Sequence, residues 1–358
     1  MSKINIIPIF IPHLGCPNDC VFCNQKKITG ISTHVTGSEV ESNILEYLDY
    51  FYDKSKDVEI AFYGGSFTAL EIDKQIEFLS VAKKYKDSGK IDRIRLSTRP
   101  DFIDRDILKI QLDYGVDIIE LGVQSMDDEV LNLSNRGHSS KDVIKAVESI
   151  RETKITLGLQ QMIGLPGDTY EKSLYTTREL IKLKPDFVRI YPTLIVKDTE
   201  LERMYYNNEY TPMSLESSVE DVSKFLMLYM KEDIKVIRIG LQNTESISTD
   251  GDVVGGPFHE SYRELVEGLV LNEMLYNYLT KFIEIDNMTV FGSGRNISLL
   301  VGQKSKYKDL LKSKYNIKNL KYKQMKIDDT KLKLEINSEI YNIDLEYELG
   351  NLVDKMGI

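Results

Sequence analysis

The chain predicts an α/β fold: a partial (βα)6, TIM-like barrel followed by a small α+β C-terminal module. Three observations carry this. Short β-branched, apolar runs alternate with amphipathic charged segments from the N-terminus to about Gln242. Strands separated by helices of this length pair in parallel through right-handed crossovers, and about six such units close most of a barrel. Beyond residue 286 the pattern changes to short lysine-rich strands and helices.

The strands expected are Ile4–Phe10, Val58–Tyr63, Ile91–Ser97, Val116–Gly122, Ile155–Ile163, Phe187–Pro192 and Val236–Leu241. The helices between them are expected at Glu39–Tyr52, Ile72–Tyr85, Asp104–Tyr114, Lys141–Glu152, Tyr170–Leu183 and Ser217–Lys231. The organisation expected is a barrel over residues 1–242, bridging helices over 243–285 and a basic module over 286–358. In the module, Met288–Phe291 reads as a strand, Asn296–Val301 as a short helix and Gly302–Ser305 as a basic turn. Lys306–Lys314 reads as a second helix, and Ile317–Met325, Lys331–Ile336 and Tyr341–Glu346 as strands.

Composition sets bounds. With 42% hydrophobic and 28% charged residues the chain can bury a core, and its net charge of −10 argues against an overall nucleic-acid coat, though not against a local basic patch. No run approaches the roughly 18 apolar residues of a membrane span, and Ile4 to Pro12 reads as a buried strand rather than a signal core. A cytoplasmic protein is expected.

The chemistry centres on the three cysteines of the chain, Cys16, Cys20 and Cys23, in His13-Leu-Gly-Cys-Pro-Asn-Asp-Cys-Val-Phe-Cys-Asn24. A disulfide framework is disfavoured by the odd count. A structural zinc would need a fourth ligand, for which His13 and His34 are the near candidates. The third reading is a [4Fe–4S] cluster held by three thiolates, with one iron open to a small-molecule ligand.

This Cys-x3-Cys-x2-Cys loop, with Phe22 before its third cysteine, resembles the cluster loop of radical S-adenosylmethionine (SAM) enzymes. The resemblance implies that the open iron binds SAM and cleaves it to methionine and a hydrogen-abstracting 5′-deoxyadenosyl radical. It also implies an electron donor such as flavodoxin or ferredoxin. Further segments fit it. Gly64-Gly65, at the end of the second strand, resembles the superfamily motif whose backbone holds the SAM amino group; Ser66 stands where many relatives place a Glu, so that contact is expected to pass to backbone carbonyls or to Thr68. Ser97, three residues before Pro100, takes the position of a ribose-contacting Glu; Arg99 itself reads equally as pairing with an acid at the rim.

Leu-Gly-Val-Gln-Ser125 with Asn-Arg-Gly-His138 resembles the SAM-binding region of the Elongator catalytic subunit and of oxygen-independent coproporphyrinogen oxidases. By that resemblance Arg136 would neutralise the SAM carboxylate and Gln160 would sit at the ribose; Gln124, polar at the end of a buried strand, is either a core hydrogen bonder or a ligand contact. Tyr191, in a Tyr-Pro-Thr segment similar to that of Elongator, would face SAM or substrate, or fill the barrel mouth. The Elongator-like stretch runs from about Phe10 to Val270; the roughly ninety residues that follow are expected to be too few for the Elongator acetyltransferase domain.

In the tail, strand, helix, basic loop and helix follow the order of a KH module, whose Gly-x-x-Gly loop clamps a nucleic-acid backbone. Gly302-Gln303-Lys304-Ser305 takes the loop position, and Gly302, Gln303, Lys304, Lys306 and Lys308 are the expected RNA contacts. From Lys304 to Lys333 there are eleven lysines against three aspartates. RNA modification is therefore the expected function, with a small-molecule radical SAM reaction or a non-catalytic iron–sulfur RNA-binding protein as alternatives.

Overall fold

In a computed structural model, residues 4–11, 16, 19–24, 35–51, 56–241 and 251–358 are described. His13 and His34, the candidate fourth ligands of a zinc site, lie outside them. The chain divides into two units: Met1–Ser214 with Ile237–Phe258, and Leu215–Val236 with His259–Ile358.

The first unit is built on a seven-stranded sheet of β1 (Asn5–Ile11), β2 (Val58–Gly64), β3 (Arg93–Thr98), β4 (Ile118–Gln124), β5 (Thr156–Ile163), β6 (Phe187–Pro192) and β8 (Lys235–Ile239), whose order in space is their order in sequence. From β1 to β6 each strand pairs in parallel with the next. Such an ordered run is the open, TIM-like half-barrel that the alternating apolar and amphipathic segments predict. The crossovers carry α1 (Gly37–Tyr50), α2 (Ile72–Asp87), α3 (Arg105–Asp113), α4 (Asp128–Leu133), α5 (Ser140–Arg151) and α6 (Tyr170–Lys182). Thr36 with Glu39 and Ser139 with Asp142 form capping boxes that start α1 and α5.

Side-chain parity separates the two faces of β2 to β6. Ile60, Phe62, Ile94, Leu96, Ile119, Leu121 and Leu159 are fully buried on one face, while the opposite parity places Glu59, Arg95, Glu120, Gln160 and Arg189 together on the concave side. A two-stranded ribbon absent from the sequence expectations, β7 (Ile195–Val196) with β9 (Val253–Gly255), and the short α7 (Glu200–Tyr206) complete the described part of this unit.

The second unit packs α8 (Leu215–Lys231), α9 (Tyr262–Leu279) and α12 (Leu345–Met356) on one another beside a four-stranded sheet. That sheet holds β10 (Asn287–Gly292), β11 (Asn319–Gln324), β12 (Lys331–Ile336) and β13 (Glu339–Asp344) in the order β11-β10-β12-β13. Between β10 and β11 lie α10 (Gly294–Val301) and α11 (Lys306–Lys314). The strand expected at Tyr341–Glu346 ends at Asp344, whose side chain caps the N–H groups of Glu346 and Tyr347 and so starts α12. The segment Ser217–Lys231, expected as a barrel helix, belongs to this second unit.

Candidate functional site

The C-terminal ends of β1 to β4 gather the cysteine loop and its supports. Gly64 ends β2 at φ 99°, a conformation that favours glycine, and the N–H of Gly65 reaches the carbonyl of Ile11. Behind this turn three hydroxyls interlock: Ser66 Oγ lies 2.8 Å and Thr68 Oγ1 2.5 Å from Thr98 Oγ1, and Ser66 Oγ accepts the Arg99 N–H at 3.1 Å. The end of β2 is thereby tied to the end of β3.

The Asn-Arg-Gly-His segment after α4 holds the cysteine loop from the other side. Asn135 Nδ2 donates to the Asp19 carbonyl at 2.8 Å, the Val21 N–H donates to the Ser134 carbonyl, and the buried Arg136 spans Cys20 Sγ at 3.2 Å and the Gly122 carbonyl at 2.7 Å. Asn135 and Gly137 both have positive φ, which lets four residues turn two side chains toward one loop. Outward of the cysteines, Phe22 packs with Met204, Tyr205 and Val254 around a core of Val21, Ile195, Leu201 and Tyr210. The Leu201 N–H donates to the Val21 carbonyl, and Asn24 Nδ2 to that of Lys197. The ribbon and α7 are thus the outer wall of the loop.

All three described cysteines are free thiols. Burial pushes the Cys16 thiol up; the Ser66 N–H and the charges of Arg99 and Arg136 work in the opposite direction. Among the described residues no three His, Cys, Asp or Glu side chains stand close enough together to hold a metal ion. The donor set nevertheless suits an iron–sulfur cluster, since thiolates are its ligands and two guanidinium groups face their charge.

A second observation points to a ligand beside them. Gln124 Oε1, Arg99 Nη1, His138 Nδ1 and Ser97 Oγ are buried without a hydrogen-bond partner at the ends of β3 and β4, where buried polar groups ordinarily have one. Gln124 takes φ 69° at its strand end. Arg99 spends its Nε and Nη2 on Asp101, the acid pairing open to it from the sequence, and keeps Nη1 over. His138, bonded through Nε2 to the Val123 carbonyl, is held neutral: burial, with Arg136 and Arg99 nearby, depresses its pKa to about 3.

Deeper in the concave side runs a closed charge network that the sequence reading missed. Glu120, fully buried, accepts from Arg95 Nη1 at 2.5 Å, Arg189 Nη2 at 2.9 Å and Gln160 Nε2 at 3.0 Å, and Arg95 also pairs with Glu59. Burial opposes the charge of Arg95, but Glu120 and Glu59 outweigh it. Gln160 therefore meets Glu120, and Tyr191 receives a bond from Arg189 Nη1 at 3.4 Å. Gly302, Gln303, Lys304, Lys306 and Lys308 lie in the second unit, where Gly302, Lys304 and Ser305 all have positive φ and a cleft of about 120 Å³ is lined by Glu264, Leu265, Gly302, Gln303 and Tyr307.

The profile of the radical SAM superfamily matches residues 10–180, and that of the radical SAM C-terminal domain residues 185–270. An uncharacterised protein of Methanocaldococcus jannaschii is 32% identical over 236 residues, 63% of this chain and 72% of that protein. The chain belongs to the radical SAM superfamily. The superfamily's enzymes use a [4Fe–4S] cluster and SAM. A tRNA uridine(34) acetyltransferase of Methanocaldococcus infernus is 27% identical over 323 residues, covering 78% of this chain and 57% of that protein. The chain spans about half the length of the tRNA uridine(34) acetyltransferases it matches. The structure of Methanocaldococcus infernus Elp3 shares the fold at a TM-score of 0.59 and 24% identity, over 78% of this chain and 63% of that one.

Proposed function

We propose that this radical SAM enzyme modifies RNA, with tRNA as the favoured substrate. The observation that carries the reading is the match to a relative named as a tRNA uridine(34) acetyltransferase across 78% of the chain, and the eleven lysines against three aspartates between Lys304 and Lys333 support it. In this reading Cys16, Cys20 and Cys23 hold the cluster, which when bound supplies the electron for reductive cleavage of SAM. Gly64, Gly65 and Ser66 shape the wall beside it. Gln124 and Ser97 offer acceptor oxygens for donors of SAM, and Arg99 and Arg136 place two guanidinium groups toward its carboxylate.

The chain's own groups also prepare the site for that chemistry. His138, neutral across the physiological range, adds no charge to the two guanidinium groups it adjoins. The Phe22 cluster shields the loop from solvent. The Glu59, Arg95, Glu120 and Arg189 network fixes the floor beneath Gln160 and Tyr191, leaving these two at the level a substrate would reach. Barrel residues 1–242 would carry the chemistry and the lysine-rich residues 286–358 the RNA.

The test uses anaerobically reconstituted protein with dithionite, SAM and undermodified tRNA. The expected result is 5′-deoxyadenosine formation that rises on adding tRNA, together with a SAM-dependent mass change in the digested nucleosides. Formation indifferent to RNA and stimulated by a small metabolite would overturn the RNA reading while leaving the superfamily chemistry.

A further inference from the structure

The sheet of the second unit has two unlike faces. Along β10, Met288, Val290 and Gly292 point to one side, where Leu332 and Ile297 occupy the space beside Gly292. Asn287, Thr289 and Phe291 point to the other. On that second side the register sets Lys323 of β11 and Lys333 of β12 opposite Phe291, with their ammonium groups 5.7 and 5.8 Å from the centre of its ring. Lys321 of β11 and Glu335 of β12 flank Thr289 in the next row, Asn342 of β13 extends the row of Phe291, and Lys331 faces Asp344 at the end of the same side, so four lysines stand against two carboxylates on this face. None of the side chains on this face is buried, and Ile340 is 59% exposed.

A single aromatic ring flanked by lysines on both neighbouring strands, on an open sheet, matches one ligand chemistry well. A nucleotide base offers a flat face to the ring, and the phosphates on either side of it meet the two ammonium groups. The charge runs against that of the whole chain, whose net charge is −10. The cleft at Gly302 is less favourable to phosphate, because Glu264 lines it. We propose that this face, rather than the Gly302 loop, holds a single-stranded stretch of the RNA substrate, with one base stacked on Phe291 and its flanking phosphates paired to Lys323 and Lys333. The identity of the polymer rests on the RNA reading above; the placement rests on the sheet.

The experiment is fluorescence anisotropy of a labelled single-stranded RNA of about a dozen nucleotides with the full-length protein, from about 50 to 200 mM salt. F291L is expected to weaken binding roughly tenfold at every salt concentration with the salt slope unchanged, and F291Y to retain wild-type affinity, since it keeps the ring. K323Q/K333Q is expected to flatten the slope of log K against log salt by about 1.4, two phosphates at about 0.7 each. Circular dichroism confirms folding, and F291Y with the surface lysine pair keeps the test open should F291L unfold. If wild-type protein binds no RNA, the RNA reading falls. If it binds and these variants match it, or if the loss follows K306Q/K308Q instead, the sheet inference alone falls. Equal competition by polyglutamate would overturn the nucleotide assignment in favour of an acidic protein partner.

Discussion

Substituting Glu120 with Gln tests whether the concave charge network holds the half-barrel together. Glu120 is fully buried and receives Arg95, Arg189 and Gln160 at 2.5, 2.9 and 3.0 Å. In the native network two carboxylates, Glu59 and Glu120, face the buried guanidinium groups of Arg95 and Arg189, with the more exposed Arg93 4.0 Å from Glu59. E120Q is nearly isosteric, so it creates no cavity; it leaves Arg189 buried with no carboxylate against it and Arg95 with one. Breaking a buried pair from one side costs about 3–5 kcal/mol, because the remaining charge keeps its desolvation penalty. For a unit of this size that corresponds to a fall in melting temperature of roughly 6–20 °C. The second arm is E120Q/R189Q, which restores the balance of charge and is expected to be more stable than E120Q alone by at least about 1 kcal/mol. Urea unfolding followed by circular dichroism reads both. An E120Q protein within about 0.5 kcal/mol of wild type, or a double variant no more stable than the single one, would refute the reasoning.

Three further outcomes follow from the site. R136A removes the donor to Cys20 Sγ and the tie to the Gly122 carbonyl; reconstituted protein is expected to lose iron to a competing chelator about 10–100-fold more readily, with R136K intermediate, and equal retention would show that the bond does not support the loop. His138 has a pKa of about 3 in the fold against about 6.5 in the unfolded chain, so below pH 6.5 the unfolded chain binds the extra proton. Stability from this group is complete above about pH 6.5 and lost toward pH 3, by up to about 5 kcal/mol, and H138Q should flatten that part of the pH profile of the urea midpoint. F22A removes a ring from the cluster around Ile195, Leu201 and Tyr210; a loss of about 1–2 kcal/mol is expected, with reduced iron loading, and unchanged loading would separate that wall from the cysteine loop.

The parallel sheet was legible because its strands are near-continuous apolar runs between capped helices, a local pattern. The superfamily was legible from the spacing of the cysteine loop, and the matching profile spans that loop. The charge network was not, because Glu59, Arg95, Glu120 and Arg189 lie on four different strands and each reads singly as a polar interruption; only the register shows that they share one side. Thr98 escaped notice for a similar reason, since its partners Ser66 and Thr68 belong to the neighbouring strand's turn. The ribbon of β7 and β9 is too short to leave a periodic signal, and its two strands lie far apart in sequence. By contrast α12 did leave a signal: Leu345, Leu349, Leu352 and Val353 fall at helical spacing after the capping Asp344. Phe291 was readable as a strand residue but not as a platform, because its flanking lysines come from strands on both sides.

The most direct measurement is metal and sulfide analysis of anaerobically reconstituted protein, coupled to electron paramagnetic resonance of the reduced sample with and without SAM. About four iron and four sulfide per chain, a spectrum altered by SAM, and loss of both in C16A, C20A and C23A are the predicted results. Zinc in place of iron, or a cluster whose spectrum ignores SAM because a fourth side chain fills its open position, would contradict the account.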